Sequence, residues 1–260
     1  AMELTNLYFT APRKDTALFA KIIEASAQQI TSRSLDPNNV FADTISAVLG
    51  GYNNRRTGPT LNKLHSIELD KVSKIYKERF ANAGDFTFFF VGNIDTTVLR
   101  NLAEQYIATL PSSTDREEAK DLRVYIPADK ISKTVYGGKE DKATVRLVFS
   151  GDYSFSAKEN LKLTALQEIL QYRLTERLRE QEGGVYTPSA QVSYTKFPKS
   201  RYSFTINFGC APSNTEKLIS ATLDEMKKLR ENGISPEDLE KFKAEQYRQI
   251  ELIQKDNTGE

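Results

Sequence analysis

The sequence Leu178-Arg-Glu-Gln-Glu-Gly-Gly-Val-Tyr186 marks a change from helical to strand-like periodicity. Before it, leucines recur at the spacing of one helix face, and after it apolar and polar residues alternate as in a half-buried strand. The Gly183-Gly184 pair allows the chain to reverse, because glycine tolerates the positive φ that a helix C-cap requires. The stretch therefore predicts a long helix that ends in a tight turn and continues as a β-strand.

Two polar side chains flank this turn. Arg179 lies in the last turn of the predicted helix, and Tyr186 lies on the strand that follows. The reversal could bring the guanidinium and the phenol to neighbouring places on one rim, where they would suit a peptide carbonyl or an oxyanion. The same residues also fit a salt-bridged surface arginine and a half-buried strand tyrosine. Chemistry alone leaves both interpretations open.

Periodicity and capping signals around the turn predict the elements of the second half of the chain. They indicate strands at 133–136 and 143–149, a helix over 157–182, a hairpin of strands at 186–194 and 201–208, and two helices that begin at a capping box near Ser213 and at Ser235-Pro236. The order β-β-α-β-β-α-α, with paired helices beside mostly antiparallel strands, is typical of an α+β fold.

The first half of the chain is richer in helical patterns. Helices are predicted at 16–31, 40–49, 68–80 and 95–107, and the almost continuously apolar run 85–92 predicts a buried central strand. The polar stretch 111–120 indicates a linker between two units. We therefore expect one unit over residues 1–115 and a second over residues 116–260.

Composition limits the classes of function. The chain has 260 residues, of which 39% are hydrophobic and 27% charged, enough for one large or two ordinary domains. The net charge of +1 comes from well-mixed basic and acidic residues and does not favour nucleic acid or an anionic membrane as a partner. No apolar run approaches the ~20 residues of a membrane span, and no signal peptide is visible at the N-terminus.

The chain contains few of the side chains that usually bind zinc. Catalytic zinc usually takes three protein ligands, mostly His with Glu or Asp, and the chain has a single histidine, His65, and a single cysteine, Cys210. His65 is interpreted as structural or solvated. We expect no metal site and no cofactor in this chain, and no histidine-based nucleophilic mechanism is indicated.

Several motifs together resemble the non-catalytic C-terminal half of a pitrilysin/insulysin-type zinc metallopeptidase, most closely the bacterial members. The most specific part is Leu178–Tyr186, and the resemblance is carried by segments at 8–15, 75–80, 86–94, 165–186 and 234–240. The active site of that family is the inverted H-x-x-E-H motif, which this chain lacks. The resemblance implies a fragment that cannot cleave peptides by itself.

The resemblance also implies a fold and a role. Members of the family are built from similar α+β modules around a chamber, and residues 1–115 and 116–260 would be the second part of one module and a nearly complete following module. An arginine and a tyrosine in the last module hold the substrate beside the zinc, and their spacing matches Arg179 and Tyr186. These two residues would bind a peptide carbonyl and stabilise the oxyanion, while zinc in the missing N-terminal half activates the attacking water.

The implied partners are a peptide or protein substrate and the N-terminal catalytic half. The two partial modules would either pack as a composite module or leave sheet edges through which a homodimer forms. The alternative function is a catalytically inactive scaffold or peptide-binding subunit of the same fold. The resemblance suggests the periplasm or cell envelope of a Gram-negative bacterium, with the cytoplasm as the alternative.

Overall fold

The computed structural model of the protein describes residues 1–185 and 187–255, and it divides into two compact units. The first unit comprises residues 1–127 and 132–137, and the second comprises residues 128–131 and the chain from 138 onward. The assignment of residues 1–115 and 116–260 to two family modules stays a prediction.

The first unit is helical in its regular structure. Its helices are α1 (Met2–Thr10), α2 (Thr16–Ser34), α3 (Pro37–Leu49), α4 (Leu61–His65), α5 (Leu69–Arg79) and α6 (Thr96–Tyr106). The helices predicted at 16–31, 40–49, 68–80 and 95–107 are confirmed to within a few residues. The carboxylates of Asp15, Asp36 and Asp95 accept hydrogen bonds from the first free backbone N–H groups of α2, α3 and α6, which explains where these helices begin.

The prediction of a buried strand at residues 85–92 is wrong. The run from Phe86 to Val91 is outside any strand, and the side chains of Phe89 and Val91 are 84% and 94% exposed. Among the described residues, no hydrogen bond reaches the backbone of residues 87–91. A strand exists only by pairing with a neighbour, and the described part of this unit contains none. The predicted strand at 133–136 is also wrong, because these residues have no partner strand in the described part of the unit. A homodimer through sheet edges stays a prediction.

The second unit is an antiparallel sheet covered by helices. It contains β1 (Ala143–Asp152), α7 (Ala157–Leu174), a π-helical segment (Thr175–Gln181), β2 (Ser189–Thr195), β3 (Arg201–Cys210), α8 (Thr215–Asn232) and α9 (Pro236–Ile253). Within the described residues the strand order is β1-β3-β2. Ile206 in the central strand lies opposite Leu147 on one side and Ala190 on the other. The antiparallel α+β arrangement predicted for this half is confirmed, apart from the missing first strand.

The core of the second unit lies between the sheet and α7 with α8. Phe204, Ile206 and Phe208 share one face of β3 and are all at most 4% exposed. They pack in one cluster with the leucine stripe of the long helix and with Leu218 of α8. Each such side chain contributes about 1.5–3 kcal/mol on full burial. This cluster holds the helix that carries the Leu178–Tyr186 stretch.

Capping signals locate two of the three predicted helix starts in this unit. The hydroxyls of Ser156 and Ser235 accept hydrogen bonds from the backbone N–H groups of Glu159 and Asp238, as predicted. The predicted capping box at Ser213 does not form. Residues Pro212–Asn214 form a 3-10 turn instead, because proline favours the first position of such a turn, so α8 begins two residues after Ser213.

Candidate functional site: the turn after the long helix

The last turns before the chain reversal are wider than an α-helix. Residues Thr175–Gln181 form a π-helix, in which the hydrogen bonds run from residue i+5 to residue i. The backbone N–H of Glu182 closes the segment on the carbonyl of Arg177 at 3.2 Å. The predicted helix over 157–182 is confirmed in extent, but its π-helical end was missed. Such widened turns occur frequently at functional sites.

Two glycines then reverse the chain. Gly183 adopts a φ of +63°, which is the left-handed conformation expected of a helix C-cap. At Gly184, a Cβ atom would lie 3.0 Å from Cδ1 of Leu218 in α8, so a larger residue would require this core leucine to shift by a few tenths of an ångström. The backbone N–H of Gly184 bonds to the carbonyl of Leu178 at 3.3 Å. The turn is therefore fixed against α8 as well as against its own helix.

The structure places one of the two predicted site residues. Arg179 is exposed on the π-helical segment, directly after Leu178, whose side chain is fully buried. Tyr186 lies outside the described residues. Val185 and Pro188, on either side of that position, are buried. The predicted meeting of the guanidinium and the phenol on one rim stays a prediction.

The carboxylate of Glu182, directly after the π-helical segment, links that segment to α8. Oε1 of Glu182 lies 3.0 Å from Nη2 of Arg177, and its Oε2 lies 2.7 Å from Nζ of Lys217 in α8. The hydrogen bond from Lys217 holds the pKa of Glu182 below its usual value, and the charge of Arg177 adds to this effect. Glu182 is therefore ionised at neutral pH, and its charge is held within the turn.

The strand side of the turn is held by glutamine side chains of α7. The amide of Gln171 donates to the carbonyl oxygen of Pro188 at 2.8 Å and accepts from the backbone N–H of Ala190 at 2.7 Å. Gln167, one turn earlier, accepts from the N–H of Val192 at 3.1 Å. These contacts satisfy backbone groups along the outer edge of β2, which the sheet leaves unpaired. These contacts were not predicted, although Gln167 and Gln171, four residues apart on one face of a helix, were a usable signal.

A second charged group lies further back along the same helix. Arg173 of α7 donates to Oδ2 of Asp238 from Nη2 at 2.6 Å and from Nε at 3.2 Å, and Ser235 donates to the same oxygen at 2.7 Å. Burial raises the pKa of Asp238, but the hydrogen bonds from Arg173 and Ser235 outweigh it and leave the pKa below its usual value. This pair fixes the start of α9 to α7.

The described residues do not fit a zinc ion. No group of three or more His, Cys, Asp and Glu side chains in residues 1–185 and 187–255 has a metal-binding arrangement. His65 is exposed in the first unit, and Cys210 in the second unit contacts the hydroxyl of Thr215.

Among residues 1–185 and 187–255, none of the helices has the length and apolar character to cross a membrane.

Comparison with known proteins identifies similar sequences. The profile of the protein family described as peptidase M16 inactive domain matches residues 66–246. A probable zinc protease PqqL of Haemophilus influenzae is 26% identical over 220 residues, covering 84% of this chain and 23% of that protein. The chain thus spans about a quarter of the length of the curated relatives that it matches.

Solved structures share the fold. The periplasmic protease PqqL from Escherichia coli superimposes with a TM-score of 0.84 at 23% identity, over 99% of this chain and 28% of that one. A mutant of the ferredoxin protease FusC, in complex with Arabidopsis ferredoxin, gives a TM-score of 0.79 at 18% identity, again over 99% and 28%. The predicted similarity of the fold to α+β modules of these proteases is confirmed.

Proposed function

The chain belongs to the family of peptidase M16 inactive domains, as its resemblance to pitrilysin-type proteins predicted, and from this premise we propose that it is the non-catalytic, substrate-binding half of a zinc-dependent endopeptidase. In this role Arg179 binds a peptide carbonyl, and the phenol of Tyr186 stabilises the oxyanion that develops during peptide hydrolysis. The observation that carries the proposal is the exposed position of Arg179 on a π-helical segment anchored to the core by Leu178.

The chemistry of this position supports the proposal. A guanidinium presents several N–H donors in a rigid plane, which suits the carbonyl oxygens of an extended peptide. Leu178 and the turn at Gly183 hold the backbone beside Arg179, so its side chain is presented from a fixed base. A binding group that is held in place in advance loses little conformational freedom when the peptide binds.

The proposal requires a second half. The described residues do not fit zinc, so the metal and the H-x-x-E-H motif would belong to an N-terminal half outside this chain. The names of similar proteins support this arrangement, since the curated relatives are named probable zinc protease PqqL and zinc protease PQQL-like and span about four times the length of the matched region. The complex of FusC with ferredoxin supports a protein substrate, and the periplasmic PqqL supports a periplasmic or envelope location.

The test is a kinetic comparison in the longer protein that joins this chain to its H-x-x-E-H half. With an internally quenched peptide, Tyr186→Phe should lower kcat about 10²–10³-fold with little change in KM, because the phenol acts on the oxyanion. Arg179→Ala should raise KM about tenfold or more, because it removes contacts to the bound peptide.

Matched substitutions elsewhere in the second unit serve as controls. Tyr172→Phe and Arg230→Ala alter exposed side chains of α7 and α8 and should leave both constants unchanged. Wild-type kinetics in both Tyr186→Phe and Arg179→Ala would refute the substrate-binding role and would favour the inactive scaffold.

A further inference from the structure

Arg177 and Glu182 are joined twice across one turn of the π-helical segment. Their backbones share the hydrogen bond that closes the segment, at 3.2 Å, and their side chains form an ion pair at 3.0 Å. Residues five apart do not face each other on an α-helix, where neighbours are three or four apart. They do face each other where the backbone bonds run from i+5 to i. The ion pair therefore fits the π-helical register, and the same guanidinium also donates to Oε1 of Gln181 at 3.0 Å.

The second oxygen of Glu182 extends this link to α8. It accepts from Lys217 of α8 at 2.7 Å, and the glutamate side chain is only 14% exposed. Arg179 lies inside the stretch that these contacts enclose, two residues after Arg177 and three before Glu182. The direction in which this residue leaves the helix depends on the helical register of the stretch.

We propose that Glu182 is a positioning residue, which keeps the segment in its π-helical register and so directs Arg179 toward the substrate. This inference rests on the proposed role of Arg179. Without the carboxylate, the paired ends of the π turn lose their side-chain link, and the segment relaxes toward α-helical hydrogen bonds. That change turns Arg179 about the helix axis and away from the peptide.

The experiment is a double-mutant cycle in the longer protein that contains the H-x-x-E-H half, with kcat and KM measured on an internally quenched peptide. Glu182→Leu should lower kcat/KM about 10–100-fold, mainly through KM, as expected when a binding group is misplaced. Arg177→Met removes the other side of the same pair and should have a similar effect. In an Arg179→Ala background, Glu182→Leu should change kcat/KM by less than about twofold, because coupled residues are not additive.

A control variant separates positioning from a general loss of stability. Asp238→Asn removes a carboxylate of similar burial, also paired with an arginine of the long helix, but outside the turn. It should lower Tm at least as much as Glu182→Leu and leave kcat/KM within about twofold of wild type.

The outcomes distinguish the two proposals. If Arg179→Ala lowers kcat/KM while Glu182→Leu leaves it unchanged, or lowers it equally in the Arg179→Ala background, the positioning role is wrong and the substrate-binding role stands. If Asp238→Asn lowers kcat/KM as much as Glu182→Leu, the effect is one of stability and the positioning role is again wrong. If Arg179→Ala and Tyr186→Phe both behave as wild type, the proposed function itself fails, and the positioning role fails with it.

Discussion

Residues 86–91 of the first unit and residues 202–208 of the second are both rich in aromatic residues, but only the second run forms a strand. In the second unit, β3 has β1 on one side and β2 on the other, and its apolar face is covered by the long helix and α8. In the first unit, Phe89 and Val91 are exposed, and the described residues offer no strand to pair with them. The difference shows that strand propensity acts only where a partner strand is available.

Shortening a side chain should lower the free energy of unfolding more in β3 than in residues 86–91. Ile206→Ala should lower the free energy of unfolding by about 2–5 kcal/mol, because the side chain is fully buried and leaves a cavity. Phe89→Ala should change it by less than about 0.5 kcal/mol, because its ring is mostly in solvent. Urea unfolding followed by circular dichroism measures both. Equal losses in the two variants would mean that the run at 86–91 is covered, and the comparison would fail.

A second, smaller difference in stability is expected between a glutamine at the edge of the sheet and an exposed glutamine of the first unit. Gln171→Met should cost about 1–3 kcal/mol, because it leaves the carbonyl of Pro188 and the N–H of Ala190 without their partner. The same change at the exposed Gln105 on α6 of the first unit should cost less than about 0.5 kcal/mol.

Hydrogen exchange gives this prediction a local readout. The amide of Ala190 should exchange faster in Gln171→Met, since its hydrogen bond to the glutamine oxygen is lost. Unchanged protection of that amide would show that the glutamine does not hold the strand edge.

The smallest expected effect is a pH dependence in the second unit. Burial raises the pKa of Glu168 on α7, the charge of Glu245 raises it further, and the hydrogen bond from Gln246 opposes both. Because the pKa is raised in the folded state, the folded chain holds this proton more tightly, and stability falls as pH rises through the folded-state pKa. Glu168→Gln should therefore raise Tm at pH 7 by about 1–3 °C, with the difference disappearing below about pH 4.

Two other carboxylates, Glu245 and Glu104, serve as controls for the direction of the change in Tm. Hydrogen bonds from Arg248 and Gln249 lower the pKa of Glu245 to about 2. Its contribution to stability is present above the usual glutamate pKa and is lost as pH falls toward 2, so Glu245→Gln should lower Tm at pH 7. Glu104→Gln, exposed on α6, should leave Tm unchanged. A rise in Tm for all three variants would show a general charge effect rather than the burial of Glu168.

The sequence was a good guide to local structure. Apolar spacing predicted α2, α3 and α6, and aspartate caps predicted the starts of α2 and α6, because a helix is stabilised by contacts within a few residues of one another. Strict alternation predicted the buried face of β3 for a similar reason, since successive side chains of a strand point to opposite faces. The Leu178–Tyr186 stretch also carried the family resemblance that the comparisons confirmed.

Tertiary structure alone decided what depends on distant partners. Residues 86–91 do not form a strand, because strand formation requires a partner strand and is not a property of the run itself. Gln171 bonds to the backbone of Ala190 only because α7 packs beside the edge of β2. The π-helical segment Thr175–Gln181 leads to Glu182, whose carboxylate bonds to Lys217 of α8, a residue far away in the chain. The sequence thus determined that a helix ends in a tight turn beside Arg179. The tertiary structure decided that α8 packs against that turn, because the contacts of Glu182 and Gly184 with α8 join residues far apart in the chain.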